Sequence, residues 1–509
     1  MTLEDVLSVR PSPGQPRDYR FPGFERVVLD SGLQVLTVDL PGRPLVSANL
    51  IIRRGAADEP PELGGVTVLA ARAATEGTER YKGVELIEAA ERLGATLHAD
   101  ASWDSFVASV DVAASRLDAA LELLDELVER PTFPEADVAR LRDERLNDLL
   151  QVKADPRRRV ERAFTSVIYA PDSPYSRPAA GDETTVPGLD SDAVRRVHRM
   201  LLDPSQAALV VGGDLTGLDV PALARSAFAG LAGRTAGGAE GSARAARPAA
   251  ATSTPPAAPT APAATTAVDR PIVRFYHHPG AVQTELRIGH VGVERRVPDF
   301  HAIQLMAAIL GGLFNSRLQM NLREEKGYTY GIGAGFDMRR AAGPFAVRTA
   351  VQTAATIPSI SESLLELNRM RDTDVTDAEL RAARDYLVGV FPLRFETPEA
   401  VVAAIGGLYS LDLPDDELAR YRERIEAVTI ADIRRAARDR IHTDRIAIVA
   451  VGDADVVGKD LEAAGFGELE IIREELPAAA SAASVGGSGG SDEGGDGADE
   501  AGGAAEASE

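Results

Sequence analysis

The chain has no cysteine. That excludes disulfide staples, thiolate nucleophiles and Cys-ligated zinc or iron–sulfur sites, and it leaves the redox compartment open. No stretch approaches the roughly 18 consecutive apolar residues of a membrane span. The first thirty residues hold early acids and no apolar core, so they do not read as a secretory signal. These absences predict a soluble, cytoplasmic protein with no membrane partner. Bases are also short: Lys and Arg total 55 against 78 Asp and Glu, a net charge of −23. A surface of that sign repels phosphate backbones and argues against nucleic acid as a partner. What is present is ordinary for a globular chain of 509 residues, with 44% apolar and 26% charged residues.

Two segments lack the large apolar residues that a packed core requires. Residues 233–268 are dominated by Ala, Pro and Thr and read as a disordered linker. Residues 478–509 form a disordered Gly/Ser tail with seven carboxylates and no base, read as a solubilising segment. Two blocks remain, 1–232 and 269–477, and they look like copies of one another. Each closes with a helix and an apolar strand running into Gly-Asp, VRRVHRMLLDPSQAALVVGGDL in the first and IRRAARDRIHTDRIAIVAVGDAD in the second. Each has a middle section of two strands, a long helix and a second helix. Leu97, Ala99 and Ala101 alternate with His98 and Asp100, as in a sheet with one buried face. Leu117, Ala120, Leu121, Leu124 and Leu127 recur at helical spacing. Thr132 and Thr376 precede acidic helix starts and read as N-caps. The expected fold is α+β: two homologous domains, each an antiparallel sheet with helices on one side, forming a clamp.

The second block contains LGGLFNSRLQMNLREEKGYTYGI. Gly311, Gly312, Ser316, Arg317, Leu318, Leu322, Arg323, Gly327 and Tyr330 match a family pattern. Through them the chain resembles the C-terminal domain of the pitrilysin/insulinase-type (inverted-zincin) zinc metallopeptidases. Relatives include mitochondrial processing peptidase subunits, respiratory-complex core proteins and bacterial paired peptidases. The likeness extends through both blocks, taking in GAADEPPELGG, ATEGTERYKGVELIEAAERLGATL and SPYSRPAAGDE.

The resemblance implies a His-x-x-Glu-His motif on a helix of the first domain. Two His four apart share one helix face and bind zinc, and the Glu serves as general base. Here the His, Glu and His positions are Val68, Ala71 and Arg72. None of the seven histidines stand four apart. Asn147 and Asp148 lie where the downstream Glu ligand is expected. Arg72 adds a fixed cation at the metal position. The sequence therefore argues against a zinc site in this chain, and no metal or cofactor is expected in it.

Arg323 and Tyr330 are intact. In the family such a pair reaches the active site, holds substrate and stabilises the oxyanion, using donors suited to developing negative charge. The implied function is that of a non-catalytic subunit, inactive alone. It shapes a chamber for an extended peptide and lends Arg323 and Tyr330 in trans to a His-x-x-Glu-His homologue, which holds the zinc. The alternative is a structural or peptide-binding scaffold of the same fold. Arg317 reads as a structural ion-pair residue, and Gly311-Gly312 as a turn needing close backbone approach. Trp103 and Phe106 read as local packing. His277 and His278 are adjacent on a strand, point to opposite faces and are not expected to bind metal together.

Overall fold

The computed structural model describes residues 18–42, 44–233 and 264–474. The tail from 478 and most of the expected linker lie outside the described residues. The last residues of that linker do not behave as one. Ala170 N–H donates to Thr265 O, Ala267 N–H donates to Ile168 O, and Val268 is buried. One large apolar side chain and a short backbone bridge suffice to fix 264–268 against the first half.

The first half holds strands β1 (Glu25–Val28), β2 (Gln34–Asp39), β3 (Leu45–Ile52), β4 (Thr96–Ala101), β5 (Phe106–Ala113) and β6 (Ala207–Gly213). Its helices are α1 (Val66–Ala74), α2 (Glu85–Leu93), α3 (Leu117–Glu129), α4 (Glu135–Ala154), α5 (Pro156–Ile168), α6 (Ser191–Leu201) and α7 (Val220–Ala227). The second half holds β7 (Ile272–His277), β8 (Gln283–Val291), β9 (Thr329–Phe336), β10 (Pro344–Gln352), β11 (Ala447–Gly452) and β12 (Glu468–Ile472). Its helices are α8 (Phe300–Ala307), α9 (Thr356–Asp372), α10 (Asp377–Val390), α11 (Pro398–Ser410), α12 (Tyr421–Ala427), α13 (Ile430–Arg440) and α14 (Ala454–Ala464).

The two six-stranded sheets run β1-β2-β6-β3-β5-β4 and β12-β7-β11-β8-β10-β9. The five strands from β2 to β4 correspond one for one to those from β7 to β9, so the repeat seen in sequence is a repeat in topology. The expected α+β, two-domain architecture is present. Each sheet is mixed: β6 lies parallel to β2 and antiparallel to β3, and β11 lies parallel to β7 and antiparallel to β8. The closing strand returns through a helical layer and enters beside the first long strand, which allows the parallel pairing.

Helices cover both faces of each sheet. In the first, Leu50, Ile52, Leu209 and Val211 point to the core with the domain's own helices. Ile51, Ala208 and Val210 point the other way, onto Val401, Val402 and Ile405 of α11. Gly212 and Gly406 permit this approach: a Cβ at either would fall within 2.6 Å of Val402 or Ile51. The second sheet mirrors this. Val449 and Val451 meet Val160, Phe164 and Ile168 of α5, from the first half. Each half thus lends one helix to the other's sheet. Doubly covered strands explain the unbroken apolar runs in β6 and β11.

Thr376 caps α10 in a reciprocal box with Glu379. Thr132 does not cap α4. Pro134 occupies that N-cap, and the Thr132 hydroxyl donates to Gly77 O instead.

Candidate functional site

The first-domain helix begins on a buried carboxylate. Glu59 accepts from Gly65 N–H at 2.7 Å and Thr67 N–H at 3.0 Å, with Arg177 at 3.7 Å. It closes the positive end of α1. Burial pushes its carboxyl up against the opposing pull of those N–H groups. Along α1, Val68 is half-buried, Ala71 is fully buried and Arg72 is exposed. Neither Val68 nor Ala71 carries a ligand atom. On α4, Asn147 is exposed. Asp148 pairs with Arg145 and, at 2.5 Å, with Arg158. Two guanidiniums supply the positive charge that a metal would otherwise bring to this carboxylate. The donor set here does not fit zinc.

A second group has ligand chemistry. His277, Asp453 and Asp455 are, among the described residues, the one such trio near enough to share an ion. The sequence missed it because the parallel β7–β11 pairing, which brings the start of α14 to the end of β7, is not written in local spacing. Its atoms are already committed. His277 Nδ1 accepts from Ala454 N–H at 3.2 Å, and Asp453 accepts from Asp455 N–H and Gly280 N–H. Asp455 pairs with Arg473 at 2.6 Å. Nδ1 as acceptor places the ring proton on Nε2, which faces Asp455 Oδ2 at 3.7 Å. Metal on Nε2 would push that proton to Nδ1, against the Ala454 N–H. The trio is a helix cap. The matching position in the first half makes the same bond with a carboxylate, Asp39 accepting from Leu215 N–H.

The Arg/Tyr pair is built differently. Arg323 sits on a short helical segment, Gln319–Glu325, anchored by buried Leu318 and Leu322. The chain reverses at Gly327 (φ +64°) and enters β9, the sheet edge. Register between β9 and β10 slips between Thr349 and Val351, so a bulge falls at Tyr330–Gly331. Thr329 Oγ1 donates to Ala350 O at 2.7 Å, and Thr349 Oγ1 donates to Gly331 O at 3.0 Å. These hydroxyls hold the bulge, and the bulge re-aims the side chain. Tyr330 is 92% exposed. The Arg323 guanidinium lies 5.4 Å from its ring centroid and 4.9 Å from that of Phe314, itself 69% exposed. The structure therefore joins Arg323 and Tyr330, and adds Phe314.

Arg317 is the expected structural residue, bound to Glu379 through two bonds of 2.6 and 3.1 Å. Burial raises the Glu379 carboxyl, but hydrogen bonds from Arg317 and Thr376 bring it down to about 2. Gly311 is the expected close approach, with a Cβ there standing 2.4 Å from Ala334 N on β9, but Gly311 and Gly312 close the helical segment Ala308–Gly312 rather than form a loop turn.

The hairpin tip beyond β9 ties this region to the first domain. Arg340 is buried, bonds both Asp58 oxygens (2.9 and 3.1 Å) and donates to Arg53 O at 3.0 Å. Its N–H donates to Asp104, which also accepts from the Tyr175 hydroxyl. Trp103 stacks edge-on against Tyr175 beneath Arg339, and Phe106 is buried, so both are packing residues as expected.

Two descriptions of peptidase family M16 match the sequence. "Insulinase (Peptidase family M16)" covers residues 34–182, and "Peptidase M16 inactive domain" covers 188–387. Together they take in more than half of the chain. This chain belongs to the M16 family. It is 24% identical over 418 residues to an uncharacterized zinc protease of Streptomyces coelicolor, covering 81% of this chain and 86% of that one. It is 19% identical to the uncharacterized zinc protease YmxG of Bacillus subtilis, covering 75% and 87%. Among solved structures, the M16 inactive domain from Pseudomonas fluorescens superposes with a TM-score of 0.74 at 23% identity, over 85% of this chain and 98% of that one. A protease from Helicobacter pylori gives 0.73 at 17%, over 85% and 100%. The structural matches establish the fold. No helix among the described residues is long and apolar enough to cross a membrane.

Proposed function

We propose that this M16 chain is the non-catalytic subunit of a heterodimeric zinc peptidase. It shapes a chamber for an extended peptide and donates Arg323 and Tyr330 to the active site of a His-x-x-Glu-His homologue. Zinc resides in that partner. One observation carries the reading: an outward-facing Arg323–Tyr330 pair stands in a chain whose α1 helix offers no metal ligand. Among the described residues, the Tyr330 hydroxyl has no hydrogen-bond partner. Arg323 makes a 3.5 Å pair with the exposed Glu324 that adds little to stability. A free phenol O–H, and a guanidinium held by so weak a pair, are donors suited to an oxyanion formed elsewhere. The names of the relatives, zinc proteases, agree with a proteolytic setting.

The test is reconstitution. The full chain is purified, mixed with a zinc-motif homologue and assayed for peptide cleavage and metal content. Zinc is expected to follow the homologue. Arg323→Ala is expected to lower kcat/KM of the mixture about 10²-fold, and Tyr330→Phe about tenfold, with assembly intact. Unchanged rates for both variants would mean the chain serves as a scaffold instead.

A further inference from the structure

The pair has a third member. Gly311 and Gly312 end the helical turn Ala308–Gly312, which presses against β9 at Ala334, and Phe314 follows just beyond it. Leu313 is buried beneath the turn, whereas Phe314 stands out in solvent beside Arg323. Arg323 is thus flanked by two aryl rings, Phe314 and Tyr330, both largely uncovered. Among the described residues neither ring belongs to a hydrophobic core. Cation–π attraction at an exposed site is weaker than the penalty of keeping two such rings in water. Fold stability therefore does not account for the arrangement. Recognition does: a flat apolar surface beside a guanidinium suits a peptide whose bulky apolar side chain lies next to a carbonyl oxygen.

We propose that Phe314 is a specificity-determining residue of the Arg323–Tyr330 site, seating an aromatic or large aliphatic side chain of the extended peptide while Arg323 takes the neighbouring backbone oxygen. This rests on the reading of Arg323 and Tyr330 as substrate-binding groups. The rings meet the side chain through their exposed faces. The bulge at Tyr330–Gly331 and the Gly-Gly turn hold those faces in place before any peptide arrives.

The test uses the full chain and a set of fluorescent, otherwise polar peptides carrying Phe, Leu, Ala or Asp at one position, read by anisotropy. The wild-type chain is expected to bind the Phe and Leu peptides about tenfold more tightly than the Ala peptide. Phe314→Ala is expected to bring that ratio within about twofold, leaving Ala-peptide affinity and the melting curve unchanged. Phe314→Tyr is expected to restore it. Arg323→Ala is expected to weaken every peptide alike, so the two roles separate. If Phe314→Ala removes the preference while Arg323→Ala has no effect, the specificity role stands and the reading of Arg323 fails. A preference that survives Phe314→Ala, or no measurable binding of any peptide, overturns the inference. So does a Phe314→Ala defect confined to assembly with the zinc-motif homologue, which would assign the ring to a subunit interface.

Discussion

Three carboxylates at the end of α3, Asp125, Glu126 and Glu129, are buried around one guanidinium, Arg130. One positive charge cannot balance three negative charges away from water. Burial, followed by the hydrogen bond to Glu129 and the charge of Glu129, pushes the Asp125 carboxyl up to about 8. The pair therefore shares a proton at neutral pH. Because the folded value exceeds the unfolded one, this contribution to stability is complete at acid pH. It drains away as pH rises towards about 8. Melting temperature should fall as pH rises from the ordinary carboxylate range to about 8, and level off above that. Asp125→Asn keeps an acceptor for Arg130 and supplies a donor to Glu129, so it should flatten that fall and stabilise the chain at pH 9 by roughly 1–3 kcal/mol. Equal destabilisation at every pH would rule out the shared proton. Glu379 runs the other way: its carboxyl is held low, so the Arg317–Glu379 pair is lost as pH drops from the ordinary carboxylate range towards 2. At this scale Arg323 and Tyr330 were legible from their motif. Phe314 lay in the same stretch unnoticed, because its exposure depends on a helical turn packed against Ala334 of β9, a contact that no local pattern records.

The Gly-Gly turn and the β9 bulge are the elements that present the site. Gly311→Ala would drive a methyl group into the Ala334 backbone, where the contact distance is 2.4 Å. The expected cost is about 1–3 kcal/mol in urea unfolding, accompanied by weaker peptide binding because the turn and β9 separate. Unaltered unfolding would show that the turn yields freely. Elements with strong local signals came through intact. The alternation of β4 and the stripe of α3 are borne out by burial, and the Thr376 box forms. Thr132 misled because Pro134, with its fixed backbone angle and no N–H, starts α4 by itself. Thr132 was then free to bond across to Gly77.

At the level of the whole molecule, the exchange of α5 and α11 makes each half incomplete without the other. If residues 1–233 and 264–509 are produced as separate polypeptides, each is expected to expose one apolar sheet face and aggregate. Co-expressed, they should form a stable one-to-one complex by size-exclusion chromatography. Two soluble, independently folded halves would contradict this. Phe164→Ala, in the helix lent to the second sheet, should cost about 3–5 kcal/mol and destabilise both halves together. The Arg340 cluster adds a polar lock at the hairpin tip, with Asp58 and Asp104 of the first half as its acceptors.

The sequence alone determined the duplication, the α+β class, the family motif and the absence of zinc ligands at positions 68, 71 and 72, because each is written in local spacing or residue type. Tertiary structure decided the rest. Strand direction, the reciprocal helices, the His277 cap and the outward stack of Phe314, Arg323 and Tyr330 all depend on contacts between residues far apart in the chain. Local periodicity carries no record of which distant surface will cover a side chain and which will leave it open.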